Sequence, residues 1–271
     1  MKKLLYIFIV ATLLVSCSEY QKVLNKGKNT EKYKMAEDLY KKGEYKKAIP
    51  LFEKIMGPYA GKPQMERIQY MIADSYYQTE DYSLSSYYFS KFITNYPKSS
   101  KVEEAAYLSA KSYYLASPKY SLDQTDTDKA LEAFQNYINT YPNSDRAEDA
   151  NRYHQDLTRR LEKKYFEVAR QYYHTEDYKS AIVAFDIFNE ENLGSIYRED
   201  AYYFKFKAAY DLGMNSVLGK KEQRLLDAKQ AYFKFTKYYA DSDHLKEMDR
   251  MLENIDKEIL KTREEIASIS Q

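Results

Sequence analysis

The chain has 271 residues, with 42 lysines and arginines against 41 aspartates and glutamates, one cysteine, 7 glycines, 6 prolines, 31 tyrosines and no tryptophan. Balanced charge argues against nucleic-acid binding, which needs clustered cations to neutralise phosphates. A single thiol cannot build a disulfide framework, so stability must come from a packed core, and scarce Gly and Pro favour helix.

In chain order, Lys2 and Lys3 precede Leu4 to Val15, almost all apolar, then Ser16 and Cys17. A charged start, an apolar run too short to span a bilayer and a small residue before the cut read as a secretory signal. A cysteine directly after that small residue is the bacterial lipoprotein pattern, in which the thiol takes a diacylglycerol and the amine freed by cleavage is acylated. Residues 1–16 are therefore expected to be removed, with Cys17 as the lipidation site and no other cofactor. Several acyl chains together hold a protein on a bilayer far better than one. Loss of Lys2 and Lys3 leaves 40 basic against 41 acidic residues, a nearly neutral body. No later apolar stretch approaches ~18 residues, so nothing after the signal is expected to span a membrane. Residues 17–30, polar and containing Asn25, Gly27 and Asn29, read as a lipidated tether.

Residues 31–243 repeat themselves. Ala48-x3-Phe52-x2-Ile55, Ser85-x3-Phe89-x2-Phe92 and Ala130-x3-Phe134-x2-Tyr137 are followed by Ala181-x3-Phe185-x2-Phe188 and Ala228-x3-Tyr232-x2-Phe235. Offsets of 0, 4 and 7 mark one helix face, with the small residue where a neighbouring helix crosses closely. Twelve residues after the small residue comes a stop, Tyr59-Ala60, Tyr96-Pro97, Tyr141-Pro142 and Tyr239-Ala240; only Asn192-Leu193 departs. Proline cannot continue the helix ladder, and Lys98-Ser99-Ser100 and Asn143-Ser144-Asp145 then offer polar caps.

Each such B helix follows an A helix with its own small-then-large pair: Ala36 with Leu39, Ala73 with Tyr76, Ala110 with Tyr113, Ala169 with Tyr172; in the fifth unit only Tyr210 is clear. Tight A-to-B turns are expected at Gly43-Glu44-Tyr45, Glu80-Asp81-Tyr82 and Glu176-Asp177-Tyr178. The pattern resembles the tetratricopeptide repeat. It implies an all-α fold, a right-handed superhelix of about five helix pairs. The repeats are longer than the usual ~34 residues, so insertions are placed at Ser117 to Asp128, as a surface loop, and at Gly213 to Glu222. Asp145 to Lys164, without a breaker, predicts one long helix. Residues 244–271 form an amphipathic helix: Leu245, Leu252, Ile259 and Ile266 lie seven apart, Met248, Ile255 and Ile269 interleave, and Thr262 breaks the series. It either caps the last repeat or docks its distal end on a partner helix.

With the small residue of each A helix as position 8, positions 5 and 12 point into the concave side of such a stack. They are Tyr33, Tyr70, Tyr107, Phe166 and Phe204, and Tyr40, Tyr77, Tyr114 and Tyr173, nine aromatics expected to line one trough. Tyrosine offers broad contact, low ordering cost and a hydroxyl for peptide backbone, so an extended apolar or aromatic peptide is the expected guest. The alternative is that these rings pack on one another. Catalysis has little support: His154, His174 and His244 share no metal-ligand spacing, no nucleotide or nucleophile motif occurs, and acid-base runs such as Glu37-Asp38 with Lys41-Lys42 are solvated helix surface. A binding protein, not an enzyme, is expected.

Several features together resemble the BamD (YfiO) family of outer-membrane assembly lipoproteins. They are the lipobox Cys17, the short tether, Tyr45-Lys46-Lys47-Ala48-Ile49-Pro50-Leu51-Phe52-Glu53, Tyr96-Pro97-Lys98-Ser99, Tyr141-Pro142-Asn143-Ser144 and Val168-Ala169-Arg170-Gln171-Tyr172-Tyr173. The resemblance implies a scaffold of the β-barrel assembly (BAM) complex, lipid-anchored on the periplasmic face of the outer membrane. It implies two partners: unfolded outer-membrane proteins, held by their C-terminal segments at Tyr33, Tyr40, Tyr70, Tyr77, Tyr107 and Tyr114, and the periplasmic domains of a BamA-like barrel protein, met at Arg198. A repeat lipoprotein serving cell-wall, division or pilus machinery is the alternative. A carbohydrate-uptake lipoprotein is disfavoured because such proteins hold sugars on tryptophan.

Overall fold

The computed structural model describes residues 19–269; the signal segment and Cys17 lie outside the described residues. Among the described residues a helical stretch at 19–26 is followed by eleven longer helices: α1 (Asn29–Lys41), α2 (Tyr45–Met56), α3 (Gln64–Gln78), α4 (Tyr82–Asn95), α5 (Val102–Ala116), α6 (Thr125–Thr140), α7 (Ala147–His174), α8 (Tyr178–Glu191), α9 (Arg198–Met214), α10 (Leu218–Tyr238) and α11 (Leu245–Ile269). No strand occurs among the described residues, and no helix among them is long and apolar enough to cross a membrane. The five A–B pairs are α1–α2, α3–α4, α5–α6, the later part of α7 with α8, and α9–α10. The chain divides into two compact units: the first ends at Leu157 and omits only Lys119–Ser121, while the second takes those three residues and everything from Thr158. The division falls inside α7.

In the first unit each core joins one pair to the A helix that follows. Ala36, Ala48, Phe52 and Ile55 pack with Ile68 and Ile72 of α3; Ala73, Phe89 and Phe92 pack with Ala105 of α5; Ala110, Phe134 and Tyr137 pack with Ala150 and Leu157 of α7. In the second unit Ala169, Phe185 and Phe188 pack with Ala201 and Ala208 of α9, and α9 and α10 share a core with Met248, Ile255 and Ile259 of α11. The small residues are fully buried where helices cross, as the sequence pattern requires, because a larger side chain would hold the axes apart.

The turns explain the spacing. Gly43 sits at φ +75 between α1 and α2, and Glu80 and Glu176 adopt the same left-handed conformation, at φ 63 and 61, between α3 and α4 and between α7 and α8. A non-glycine residue is strained there. In those two turns the next residue offsets part of the cost by capping the B helix: Asp81 Oδ1 accepts from Leu84 N–H and Asp177 Oδ1 from Ser180 N–H, both at 3.2 Å. Ser99 and Ser144 accept from the backbone N–H of Lys101 and Arg146. At the irregular fourth stop Asn192 Nδ2 donates to Phe188 O instead.

Four expectations are refined. The tether is not loose: residues 19–26 are helical, Tyr20, Val23 and Leu24 pack on the first core, and the Tyr20 hydroxyl donates to Lys47 O at 3.0 Å. The loop in the third pair closes earlier than expected, since α6 already begins at Thr125. The extra residues of the fifth pair lengthen its helices to 17 and 21 residues, leaving only 215–217 between them. In α11 the buried residues are Met248, Ile255, Ile259 and Thr262, so the sevenfold seam is buried as far as Thr262, which belongs to it and does not break it. Thr262, hydrogen-bonded to Glu258 O, is buried, and beyond it the seam leaves the core, with Ile266 38% and Ile269 74% exposed. The helix caps the fifth repeat.

Candidate peptide-binding face

The six tyrosines expected to meet a guest all lie in the first unit, two on each A helix. Five of them are half-buried. Each position-5 ring rests on aromatics near the end of its own B helix or just beyond it: Tyr33 on Tyr59 at 5.6 Å, Tyr70 on Phe92 at 5.6 Å, Tyr107 on Tyr137 at 5.6 Å. Two position-12 rings meet the turn tyrosine edge-on, Tyr40 with Tyr45 at 5.5 Å and Tyr77 with Tyr82 at 5.8 Å. In the third pair the loop displaces that partner, and Tyr114 packs on Tyr153 of α7 at 4.5 Å. The face is therefore a pavement of rings with outer edges in solvent, not an open trough.

Two positions need correction. Tyr107 is only 7% exposed, because Tyr137 supports one side of its ring while Lys111 and Arg146 approach it at 5.9 and 5.7 Å. Phe166, in the second unit, is 3% exposed inside a cluster with Phe185, Phe188, Tyr197 and Phe204, so it lines nothing.

The hydroxyls are already engaged along the stack. Tyr40 donates to Asp74 of α3, and Tyr114 donates to Asp156 of α7 at 3.1 Å. The second unit repeats the arrangement, Tyr173 donating to Asp211 of α9 at 2.9 Å. Burial, reinforced by the carboxylate acceptor, pushes the Tyr40 and Tyr173 phenols well above the usual tyrosine range. These bonds tie α1 to α3, α5 to α7 and α7 to α9.

Tyr77 breaks the series in an instructive way. Its counterpart on the next A helix is Lys111, whose ammonium lies 6.0 Å from the Tyr77 ring centre and 5.9 Å from that of Tyr107. Burial alone would lower the Lys111 pKa, but the neighbouring tyrosines, Tyr77 first among them, raise it above the ordinary lysine value. Among the described residues Lys111 makes no ion pair, whereas Lys101, over Tyr70 at 5.3 Å, is paired with Glu104, and Arg146 with Glu103. An unanswered cation between Tyr77 and Tyr107 gives the ring face an anion-binding point. Sequence reasoning missed it. The available signal was that Lys111, like Asp74, directly follows the buried small residue of its A helix.

Arg198 opens α9 and is half-buried. Its Nε donates to Asn189 O at 3.3 Å, and its guanidinium lies over Tyr202 and Tyr238 at 5.4 and 5.6 Å. No group of three or more His, Cys, Asp or Glu among the described residues is placed to hold a metal ion.

Residues 25–217 match the family model described as YfiO, outer membrane lipoprotein. Two crystal structures of TPR-like repeats from Podosopora anserina, described as a kinesin light chain, are similar at 11% identity. They cover 77% and 76% of this chain and 96% and 95% of their own, with TM-scores of 0.33 and 0.32. Comparison with curated proteins finds no match.

Proposed function

Because this chain belongs to the YfiO family of outer-membrane lipoproteins, we propose that it is a non-catalytic scaffold of the β-barrel assembly machinery, anchored through acylated Cys17 on the periplasmic face of the outer membrane. The first unit receives the C-terminal segment of an unfolded barrel protein across Tyr33, Tyr40, Tyr70, Tyr77 and Tyr114, with Tyr107 contributing only an edge. The second unit meets the periplasmic domains of a BamA-like partner, with Arg198 held by two tyrosine rings at the start of α9.

The observation that carries this reading is the pairing of half-exposed rings with the unanswered charge of Lys111. An extended strand ending in an aromatic residue and a free carboxylate presents both complements: alternate side chains for the rings and an anion for the ammonium. Nothing in this arrangement requires a bond to be made or broken.

The test is fluorescence anisotropy with a labelled ten-residue peptide copying the C-terminus of a barrel protein. Tyr77 suits truncation better than Tyr70, whose ring sits on both Phe89 and Phe92 and supports the core. Tyr77→Ala is expected to weaken binding about tenfold, the loss typical of a contact aromatic, with far-UV ellipticity unchanged. Equal affinity in the variant would remove the ring face as the substrate site.

A further inference from the structure

The second unit carries a recess that the scaffold reading does not use. Between α8 and α10, with α9 beneath, lies a groove of about 620 Å³. Ile182, Ala209, Leu212 and Ala231 line it, and the two alanines are almost fully buried, at 6% and 8% exposed. Phe233 stands on its rim, 54% exposed.

Its charge is lopsided in a molecule that is otherwise balanced. Four of the eleven lining residues, Lys205, Arg224, Lys234 and Lys237, are cationic, and only Asp227 is acidic. Lys205 is answered by Asp186. The other three form no ion pair among the described residues. Arg224 donates to Ser216 Oγ at 2.6 Å, and Lys234 and Lys237 lie over the rings of Tyr202 and Tyr238 at 5.5 and 5.9 Å. Neutral partners hold these cations in place without cancelling their charge.

We propose that this groove docks an acidic segment of another polypeptide, one that inserts an apolar side chain onto the alanine floor and sets carboxylates against Arg224, Lys234 and Lys237. Charge complementarity selects the partner's sign and speeds its arrival, while the recessed floor and Phe233 supply the desolvated centre of the contact. A bilayer surface satisfies the cations but cannot reach a floor enclosed by two helices, so a polypeptide is the better occupant. The groove adjoins Arg198, which shares the rings of Tyr202 and Tyr238 with Lys234 and Lys237, and it does not depend on peptide binding at the first unit's tyrosines.

The experiment places the photocrosslinker p-benzoylphenylalanine at Phe233 in the full-length protein, irradiates intact cells and sequences the adducts by mass spectrometry. The expected adduct is a polypeptide segment in which Asp and Glu clearly outnumber Lys and Arg around an apolar residue. Lys234→Glu with Lys237→Glu should reduce its yield at least about fivefold, the direction expected for reversed rim charges, and Lys234→Arg with Lys237→Arg should preserve it. Both lysines are exposed, so these changes leave the core intact. Adducts with lipid, adducts with segments lacking an acidic excess, a yield indifferent to charge reversal, or no adduct at all would each overturn the proposal.

Discussion

Replacing Tyr40 by Phe removes one oxygen and leaves the ring on Tyr45 and Phe52. The lost hydroxyl donates to Oδ2 of Asp74, a carboxylate only 9% exposed, whose other oxygen is served by Gln78 Nε2 at 3.1 Å. A hydrogen bond to a charged group contributes about 1.5–3 kcal/mol net. Because Gln78 still attends Asp74, Tyr40→Phe should fall at the low end, about 1.5 kcal/mol. Urea unfolding followed by far-UV ellipticity on Tyr40→Phe, Asp74→Ala and the double variant measures the coupling directly, expected at about 1–2 kcal/mol. Strictly additive single variants, or a Tyr40→Phe protein as stable as its parent, would show that the tyrosine–carboxylate link between successive A helices carries no energy. The same variant separates structure from recognition: if the ring and not the hydroxyl meets the guest, peptide affinity should stay within about twofold, since no contact aromatic is lost.

Amidating the peptide's C-terminus should weaken binding several-fold to the parent protein and leave Lys111→Met unaffected, measured by the same anisotropy titration; an amidation penalty that persists in Lys111→Met would place the carboxylate elsewhere. Glu80→Gly should raise stability by about 0.5–1 kcal/mol, because relief of left-handed strain exceeds the added chain entropy, and a lower thermal midpoint would contradict the strain at φ 63. Gly213→Ala places a Cβ 2.8 Å from Leu225 Cδ2 and 3.2 Å from Leu225 N, so it should cost about 1–3 kcal/mol as overpacking; a rise in thermal midpoint would show that α9 and α10 can part freely. On acidification, Glu103 is held below its ordinary 4.5 by hydrogen bonds from Ser144 and Tyr137 and by Arg146, and Glu247 by Tyr203 and Lys207. Carboxylates with lowered folded-state pKa values stabilise above 4.5 and lose that contribution as pH falls through their depressed values. Urea midpoints should therefore decline as pH falls below about 4.5, and the part of that decline owed to Glu103 should be missing in Glu103→Gln.

The architecture was legible because its determinants are local and repeated. Ala48, Ser85, Ala130 and Ala181 mark helix crossings in the sequence, and the Tyr45, Tyr82 and Tyr178 turns mark the pairs. α9 was hard to read for the opposite reason: with Tyr202, Tyr203, Phe206 and Ala209 buried around it, it has no single apolar stripe to betray a face. Residues 19–26 were misjudged because Tyr20, Val23 and Leu24 are too few to show a period, and only the first repeat's core gives them somewhere to go. At the ring face, periodicity put the right tyrosines on the right helices but could not give their depth. Tyr107 sinks because Tyr137 takes one side of its ring while Lys111 and Arg146 close in on it, an arrangement of two helices and the turn before α7 that is invisible along one strand of sequence. Lys111 escaped notice because in a chain with 42 basic residues one more lysine carries no signal until its neighbours are known.

The docked stretch at residues 19–26 also sets a mechanical condition. Only two peptide steps separate Cys17 from Glu19, at most about 7 Å of chain. If that cysteine carries the acyl groups proposed above, the body cannot swing far from the bilayer like a float on a line. On the proposed anchoring, the first repeat would ride close to the lipid headgroups, and whatever it grips would be presented at that height.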